Sequence, residues 1–545
     1  MKILLIVPPY LTTDALVAAL YPQPLGLVMV GTVLQRAGHE VTLKDFSLPN
    51  EVTSVPTPEA FAGKGQHPAY RCYGTPLDDA VAWTIGMAGE YDAVGLYGGQ
   101  CNIALGGAKA IADAVHLIGT PLVVGGPFVT TAPAEAQRLF RATVMVTGEA
   151  EAVAAQAFAW ALERADAACP GRIRGEAVEL DDLPLPNWDL APPEDYPKVS
   201  GKVRGVLQIS RGCPHACSFC SVHTVQGRKH RRLRRARILA QMLALAQRGV
   251  RYMCFLDDNL FINNAALENV LACCDEVSRK YPGMRYYVEE GIEVRMAARP
   301  GLLARIKEAG FDNVGLGLET MNDATRAAIG KPYQAEHLRA AVAEAEAAGV
   351  TPRGFYIVGL PGDTMHSVAR DLVRFGTLGL AARPNNMKLY PGTDVEKEFR
   401  ASGVIEGDYD WRLSSWHTPD QPGLAYAEVR RLKTILGAVG YWAENFGVKL
   451  CADDFDAIVL KVAEHGYTLT HDGNGLTLRS RHAYYRDTPF RHGLGLLLMR
   501  FGAPGYDVRV LGTNVLTAVP PSMLFDADRV HTALAEALES EGGLY

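Results

Sequence analysis

Three cysteines stand close together in RGCPHACSFC, at Cys213, Cys217 and Cys220, with the spacing C-x3-C-x2-C. Thiolates this close on one loop can converge on an iron–sulfur cube. Four thiolates would close such a cluster, whereas three leave one iron open to a substrate or cofactor. A zinc site is the rival reading, but C-x3-C-x2-C without a fourth partner of usual spacing is unusual for zinc. Three unrelated buried cysteines would be the plainest reading, and this spacing at the end of a strand argues against it. Other residues able to do chemistry sit where apolar runs stop. Asp257, Asp258 and Asn259 end the run in FLDDNLFIN, and Glu319 ends that in GLGLETMN. Gly359, Pro361, Gly362 and Asp363 follow the run in GFYIVGLPGDT, and Tyr390 to Thr393 that in KLYPGTDV. Alone, an Asp-Asp pair is usually a solvated loop and a strand-end Glu is more often structural. The order of the set along the chain carries the weight.

The elements that must position these residues fall into three regions. From Met1 to Ala168, strand-like runs (Ile3–Val7, Glu40–Asp45, Ala93–Tyr97, Leu122–Val124, Thr143–Val146) alternate with helical ones (Gly26–Ala37, Ala104–His116). Such alternation, with glycines at strand ends, predicts an α/β, doubly wound, Rossmann-like parallel sheet. Ligands of such sheets sit outside the carboxyl ends of the strands. Here those ends are Pro8-Pro9-Tyr10, Gly98-Gly99-Gln100-Cys101-Asn102, Gly125-Gly126-Pro127 and Gly148-Glu149. Residues 169–200, with the Pro- and Asp-rich LDDLPLPNWDLAPPEDYP, read as a linker. Residues 201–392 alternate again, with strands expected at Val206–Ser210, Met253–Asp257, Tyr286–Glu289, Val314–Leu318, Phe355–Val358 and Asn386–Leu389. Six βα units fit a partial or complete TIM-type barrel, whose active site lies at the carboxyl ends of its strands. Residues 393–545 read as a small α+β domain, with a helix over Tyr426–Phe446 and a hairpin turning at Asp472–Gly475.

Bulk properties bound the partners. A chain of 545 residues exceeds one ordinary core, and 48% apolar with 21% charged residues is globular composition. The net charge of −6 gives no general attraction to nucleic acid or anionic lipid. MKILLIVPPY is too short an apolar run for a signal peptide, and no segment reaches the length of a membrane span. Ten cysteines without an export signal suggest a reducing cytoplasm rather than a disulfide framework. Cys72, Cys169, Cys254, Cys273, Cys274 and Cys451 have no ligand spacing and read as small core residues. The basic run RKHRRLRRAR (Arg228–Arg237) is expected to be a solvated helix start, with at most one arginine serving a cofactor, rather than an RNA surface.

The cysteine array resembles that of the radical S-adenosylmethionine (SAM) superfamily, and the later motifs follow in the order that family uses. The resemblance implies a [4Fe-4S] cluster on Cys213, Cys217 and Cys220. It implies that the Asp257-Asp258-Asn259 element helps hold the methionine amino group of SAM. It also implies that Glu319 lies near the ribose, and that Gly359 and Pro361 line the adenine. The N-terminal segments YPQPLGLVMVGTVLQRAGHEV, VVGGPFVTTAPAEA and VMVTGEAE resemble the cobalamin-binding domain that precedes the barrel in the class B branch. This puts Gly98, Gly99, Gln100, Gly125, Gly126, Pro127, Gly148 and Glu149 near a corrin, with Cys101 a further candidate. The His-donating pattern D-x-H-x-x-G is missing, and His116 reads as an ordinary helix residue, so cobalt is expected without a protein histidine.

What the resemblance implies about activity is a cobalamin-dependent radical SAM methyltransferase that methylates an unactivated carbon of a small molecule. Because such a carbon has no acidic proton, base catalysis cannot make it a nucleophile. A 5′-deoxyadenosyl radical abstracts a hydrogen atom instead, methylcobalamin supplies the methyl group, and a second SAM restores it. An external low-potential electron donor of the flavodoxin or ferredoxin type is implied as a partner. Radical cyclisation or rearrangement without methyl transfer stays open. A tRNA methylthiotransferase lacks its third N-terminal cysteine here, and a corrinoid carrier would have no use for the triad. Trp411, Trp416, His417 and Tyr426 are polar-aromatic candidates for a substrate pocket, with ordinary packing the equal alternative.

Overall fold

The computed structural model describes residues 1–12, 23–48, 51–56, 70–100, 103–164, 171–312, 314–413, 418–446, 467–472, 475–480, 507–510, 515–519, 533–534 and 536–537. Cys101, Cys169, Cys451, Trp416 and His417 lie outside them. The chain divides into two compact units. The first holds Met1–Glu290, Ala309–Asp312 and Lys388–His417; the second holds Gly291–Glu308, Asn313–Met387 and Thr418–Tyr545.

The first unit begins with β1 (Lys2–Val7), α1 (Leu25–Arg36), β2 (Glu40–Asp45), β3 (Ala93–Tyr97), α2 (Ala104–Ile118), β4 (Leu122–Gly125), α3 (Pro127–Thr131), β5 (Val144–Gly148), α4 (Ala154–Glu163) and β6 (Gly171–Gly175). The strands form one sheet in the order β2-β1-β3-β4-β5-β6, every pair parallel. Ile3, Leu5, Val123 and Val144 meet Leu34 of α1 and Phe158 of α4 in a buried cluster, so central strands read as continuous apolar runs. The order reverses direction between β1 and β3, which is where a doubly wound sheet opens its crevice.

The sheet reaches further than the sequence suggests. β6 comes from the stretch expected to be linker and pairs along β5 from Val144↔Gly171 to Gly148↔Gly175. Its sequence, GRIRG, buries Ile173 and leaves Arg172 and Arg174 exposed, so an edge strand with one apolar residue carried little signal. The Pro-rich remainder is anchored: Tyr196 donates to Asp45 at 2.7 Å, and the Asn187 amide donates to Thr32 at 2.9 Å.

The same unit continues with β7 (Arg204–Leu207), α5 (Arg235–Gln247), β8 (Tyr252–Phe255), α6 (Asn264–Lys280) and β9 (Arg285–Val288), a three-stranded parallel sheet in that order. The second unit holds β10 (Gly315–Glu319), α7 (Ala335–Ala347), β11 (Arg353–Val358), α8 (Met365–Leu378) and β12 (Ala381–Asn386), again three parallel strands in order. The sixth strand lies earlier than the expected Asn386–Leu389. Its sequence AARPNN has little strand propensity, and Pro384 is tolerated because β12 is the outer strand of its ladder. α9 (Tyr426–Phe446) packs on β12 and α8. The expected hairpin is present as β13 (Tyr467–Asp472) and β14 (Gly475–Ser480), in a four-stranded antiparallel sheet with β15 (Asp507–Val510) and β16 (Val515–Val519).

Candidate cluster and cofactor site

The cysteine loop leaves β7 and is pinched at its neck. Ser210 and Arg211 pair antiparallel with Arg232 and Arg231, a ladder of two residues on each side. Gly212 turns the chain into the loop at φ 84°, and a Cβ there would stand 2.5 Å from the Lys229 carbonyl, so only glycine fits. Inside the loop, the Cys213 amide donates to Gly227 at 3.3 Å and the Cys220 amide to Cys217 at 3.1 Å. Cys217 is buried and the other two partly so. Burial pushes the Cys220 thiol up to about 12, and the neighbouring Cys217, Asp258 and Cys213 push it the same way. A thiol whose ionisation its surroundings discourage, as at Cys220, becomes a good ligand only when a cation joins it. Among the described residues no three His, Cys, Asp or Glu side chains converge on a single ion. A cube asks something different, one thiolate for each of three irons.

The residues after β8 separate into two roles. Asp257 is fully buried and accepts the Ile209 amide at 3.1 Å and the Ser210 amide and hydroxyl at 2.5 Å each. Its burial outweighs these bonds and lifts the carboxyl to about 7. This side chain fixes the exit of β7 and so the root of the cysteine loop. Asp258 is lifted to about 6, again chiefly by burial, and its Oδ2 is buried without a hydrogen-bond partner. The Asn259 side-chain amide lies 3.8 Å from the Cys213 sulfur. The sequence grouped the three residues; the structure leaves Asp258 with the unused acceptor.

A buried ion cage surrounds the neck. Arg211 donates to Gln208 at 3.0 Å, Glu149 at 3.1 Å and Glu151 at 2.6 Å. Arg231 is bidentate to Glu149 and also donates to the Val178 carbonyl at 2.7 Å. All four ionic side chains are at most 12% exposed. Burial opposes ionisation of Glu149, but the Arg231 and Val178 hydrogen bonds and the two guanidiniums hold its carboxyl below the usual range. Further along the basic run, Arg234 pairs with Asp181, Arg235 with Glu276, and Arg237 with the Leu183 carbonyl. Sequence placed Glu149 at a corrin; both its oxygens are taken by arginines.

The other strand-end residues lie on the carboxyl edge of the first sheet. Gly98 donates to Gly125 at 2.8 Å, Phe128 donates to Gly99 at 2.9 Å, and Gly126 and Pro127 open α3. Gly148 has φ 74°, and a Cβ would stand 2.2 Å from the Gly175 carbonyl; strand pairing itself demands that glycine. At Gly125 a Cβ would meet nothing nearer than 3.6 Å. Gln100 reaches the Ser221 hydroxyl at 3.4 Å, beside Cys220, and α3 packs on the short helix Val222–Val225. His116, in the last turn of α2, bonds the Phe140 carbonyl at 2.9 Å through Nε2.

In the second unit, Glu319 ends β10 with a positive φ of 66° and a register shift, and pairs with Lys331 at 2.9 Å. A non-glycine residue held there stores strain of the kind concentrated at working sites. Gly359 donates to Asp363 at 3.1 Å and accepts from Gln421 at 2.7 Å, with Pro361 in the same turn. Asp363 also accepts the Leu360 amide, and burial followed by the nearby Asp371 raises it to about 8. Asp371 is fully buried and takes the Thr320 hydroxyl, the Met321 and Asn322 amides and the Tyr356 hydroxyl.

Residues 207–374 match the family model of the radical SAM superfamily. The chain carries a radical SAM domain. Its curated relatives include the uncharacterized methyltransferase sll1242 of Synechocystis sp. (strain ATCC 27184 / PCC 6803 / Kazusa), 31% identical over 264 residues, 47% of this chain and 46% of that one. The chain thus spans less than half the length of this relative, and the same holds for the next, at 43%. Among solved structures, the radical SAM methyltransferase TsrM from Kitasatospora setae, with cobalamin and a [4Fe-4S] cluster bound, superposes with TM-score 0.54 at 17% identity, covering 79% of this chain and 82% of that one. The cobalamin-dependent SAM radical enzyme OxsB, with aqua-cobalamin bound, gives TM-score 0.58 at 13% identity, covering 99% and 84%. The shared fold is a doubly wound sheet ahead of the radical SAM domain. Several charges that the structure buries had no individual part assigned from sequence. Asp371 and the cage partners Arg211, Glu151 and Arg231 are buried charges whose partners lie far away in sequence. Along β7 and β8, Arg204 and Cys254 are buried, and the Cys254 thiol lies 3.4 Å from the half-buried Glu289 after β9. No helix among the described residues is long and apolar enough to cross a membrane.

Proposed function

We propose that this chain is a cobalamin-dependent radical SAM methyltransferase acting on an unactivated carbon of a small-molecule substrate. The observation that carries the reading is a three-thiol loop rooted in a radical SAM domain and tied, within one unit, to the carboxyl edge of a doubly wound sheet. When bound, a [4Fe-4S] cluster with SAM supplies a hydrogen-abstracting radical, and cobalamin supplies the methyl group. Cys213, Cys217 and Cys220 would hold the cluster, with Asn259 orienting Cys213. The unpaired Oδ2 of Asp258 suits the ammonium group of SAM, a cation that would also return this lifted carboxyl to its ionised form. Asp257 serves by fixing the loop root rather than by touching the cofactor. Glu319 is assigned to the ribose and the Gly359–Pro361 turn to the adenine. Gly98, Gly99, Gln100, Gly125, Gly126 and Pro127 present a small, uncharged rim at the switch point of the sheet, suited to a flat corrin without a histidine on cobalt. A low-potential flavodoxin- or ferredoxin-type donor would supply the electron.

The test uses anaerobically reconstituted protein with hydroxocobalamin, excess SAM bearing a labelled methyl group, and a low-potential reductant. The expected result is 5′-deoxyadenosine together with label on the corrinoid, both lost in Cys217→Ala. Cluster-dependent 5′-deoxyadenosine with a corrinoid that never takes label would replace methyl transfer by radical rearrangement.

A further inference from the structure

The ion cage joins two places that the proposed function assigns to different cofactors. Arg211 stands two residues before Cys213, and Arg231 lies directly opposite it across the neck ladder. Two guanidiniums facing each other in a buried ladder repel, so the neck closes only because carboxylates lie between them. Those carboxylates come from the far side. Glu149 and Glu151 follow Gly148 at the end of β5, and the Gly148 amide donates at 3.0 Å to Thr130 of α3, whose hydroxyl in turn bonds the Gly126 carbonyl at 3.1 Å. One unbroken set of hydrogen bonds therefore runs from Gly126 through Thr130 to Gly148, then by chain to Glu149, and through the cage to the neck of the cysteine loop.

We infer that Glu149, Glu151, Arg211 and Arg231 are positioning residues that couple corrin binding on the sheet to cluster binding on the loop. The inference rests on the proposed function and goes beyond it, because two cofactors on one chain need not sense each other. A corrin seated against Gly125–Pro127 limits the freedom of α3 and of Gly148–Glu151, which holds the carboxylates where the two arginines need them. A cluster in the loop fixes the neck and so the arginines. Each cofactor removes part of the ordering that the other requires, and by linkage the two effects are equal.

The experiment measures hydroxocobalamin affinity of the full chain by equilibrium dialysis, once with the cluster reconstituted and once after iron chelation. The cluster-loaded form is expected to bind about tenfold tighter, within the usual range of coupling between sites. In Glu149→Gln the ratio falls to about one, while Asp181→Asn, which breaks the exposed Arg234 pair on the same basic run, keeps the full ratio. Iron loss to the chelator should slow with hydroxocobalamin in the wild type and not in Glu149→Gln. If Glu149→Gln does not fold, Glu151→Gln removes one of the two acids on Arg211 and should give an intermediate ratio. Equal affinity in the two wild-type forms, or an undiminished ratio in the folded cage variant, overturns the coupling and leaves the proposed function standing. Absence of hydroxocobalamin binding in both forms overturns the cobalamin reading, and the coupling with it.

Discussion

Beyond the carboxyl ends of β5 and β7 the buried acids of the cage lie beside guanidinium groups, whereas near the ends of β10 and β11 the buried acids lie beside amides and hydroxyls. Glu149 and Glu151 are matched by Arg211 and Arg231 at hydrogen-bond distance. Asp371 takes four donors from neutral groups, and Arg374 is as far as 3.7 Å. The consequence shows in protonation: Glu149 is held below the usual carboxylate range, while burial raises both Asp363 and Asp371. The first arrangement keeps its charges and responds to a charge placed nearby. The second works as a neutral clamp that holds the turns after β10 and β11 in shape.

The comparison breaks most visibly at Glu149. Glu149→Gln leaves two buried arginines short of a counter-charge and should cost about 3–5 kcal/mol in urea unfolding. A loss of only a few tenths would mean the cage is not an ionic structure.

Asp363 gives a pH signature of the opposite sign. Its folded value of about 8 lies above the ordinary carboxyl value of 3.8, so the folded chain holds a proton that the unfolded chain releases. That contribution to stability is complete below pH ~4 and is lost as pH rises through ~8. Thermal melts of Asp363→Asn should therefore be flatter across this window than those of the wild type; parallel curves would remove the neutral clamp from the comparison.

Asp371→Asn supplies the matching substitution for Glu149→Gln. A carboxyl that burial pushes toward its neutral form loses less on becoming an amide than one matched by guanidiniums, and about 1 kcal/mol is expected. A cost equal to that at Glu149 would erase the distinction between the two regions. The smallest effect belongs to Asp258→Asn. With Oδ2 making no bond to lose, stability should stay within ~0.5 kcal/mol, while SAM affinity by equilibrium dialysis drops about tenfold, the equivalent of 1.4 kcal/mol.

Strands with continuous apolar runs were legible to within a residue or two, as at Lys2–Val7 and Ala93–Tyr97, because a doubly buried parallel strand has to be apolar throughout. The misses were outer strands. β6 needs one apolar residue and β12 contains a proline and two asparagines, so neither carries the pattern that a central strand must. At the site, the cysteine loop announced itself because its ligands are local. The arginine partners of Glu149 were hidden for the converse reason: Arg231 is 82 residues away, and no spacing rule reaches that far. The division of labour between Asp257 and Asp258 was equally hidden, since which of two adjacent acids faces a strand end depends on the pleat of β8. The basic run reads as a solvated helix start, and Arg228, Lys229, Arg232, Arg234 and Arg235 are exposed; Arg231 alone of its arginines is buried, which composition cannot single out.

The short ladder that pinches the loop at Ser210–Arg211 and Arg231–Arg232 has a consequence for how the loop is held together. Closing residues 212–230 into a loop carries an entropic cost, and the main-chain pairs and arginine–carboxylate contacts of the neck offset part of it. A loop gathered at its root presents its three thiols as one group rather than as three separate side chains.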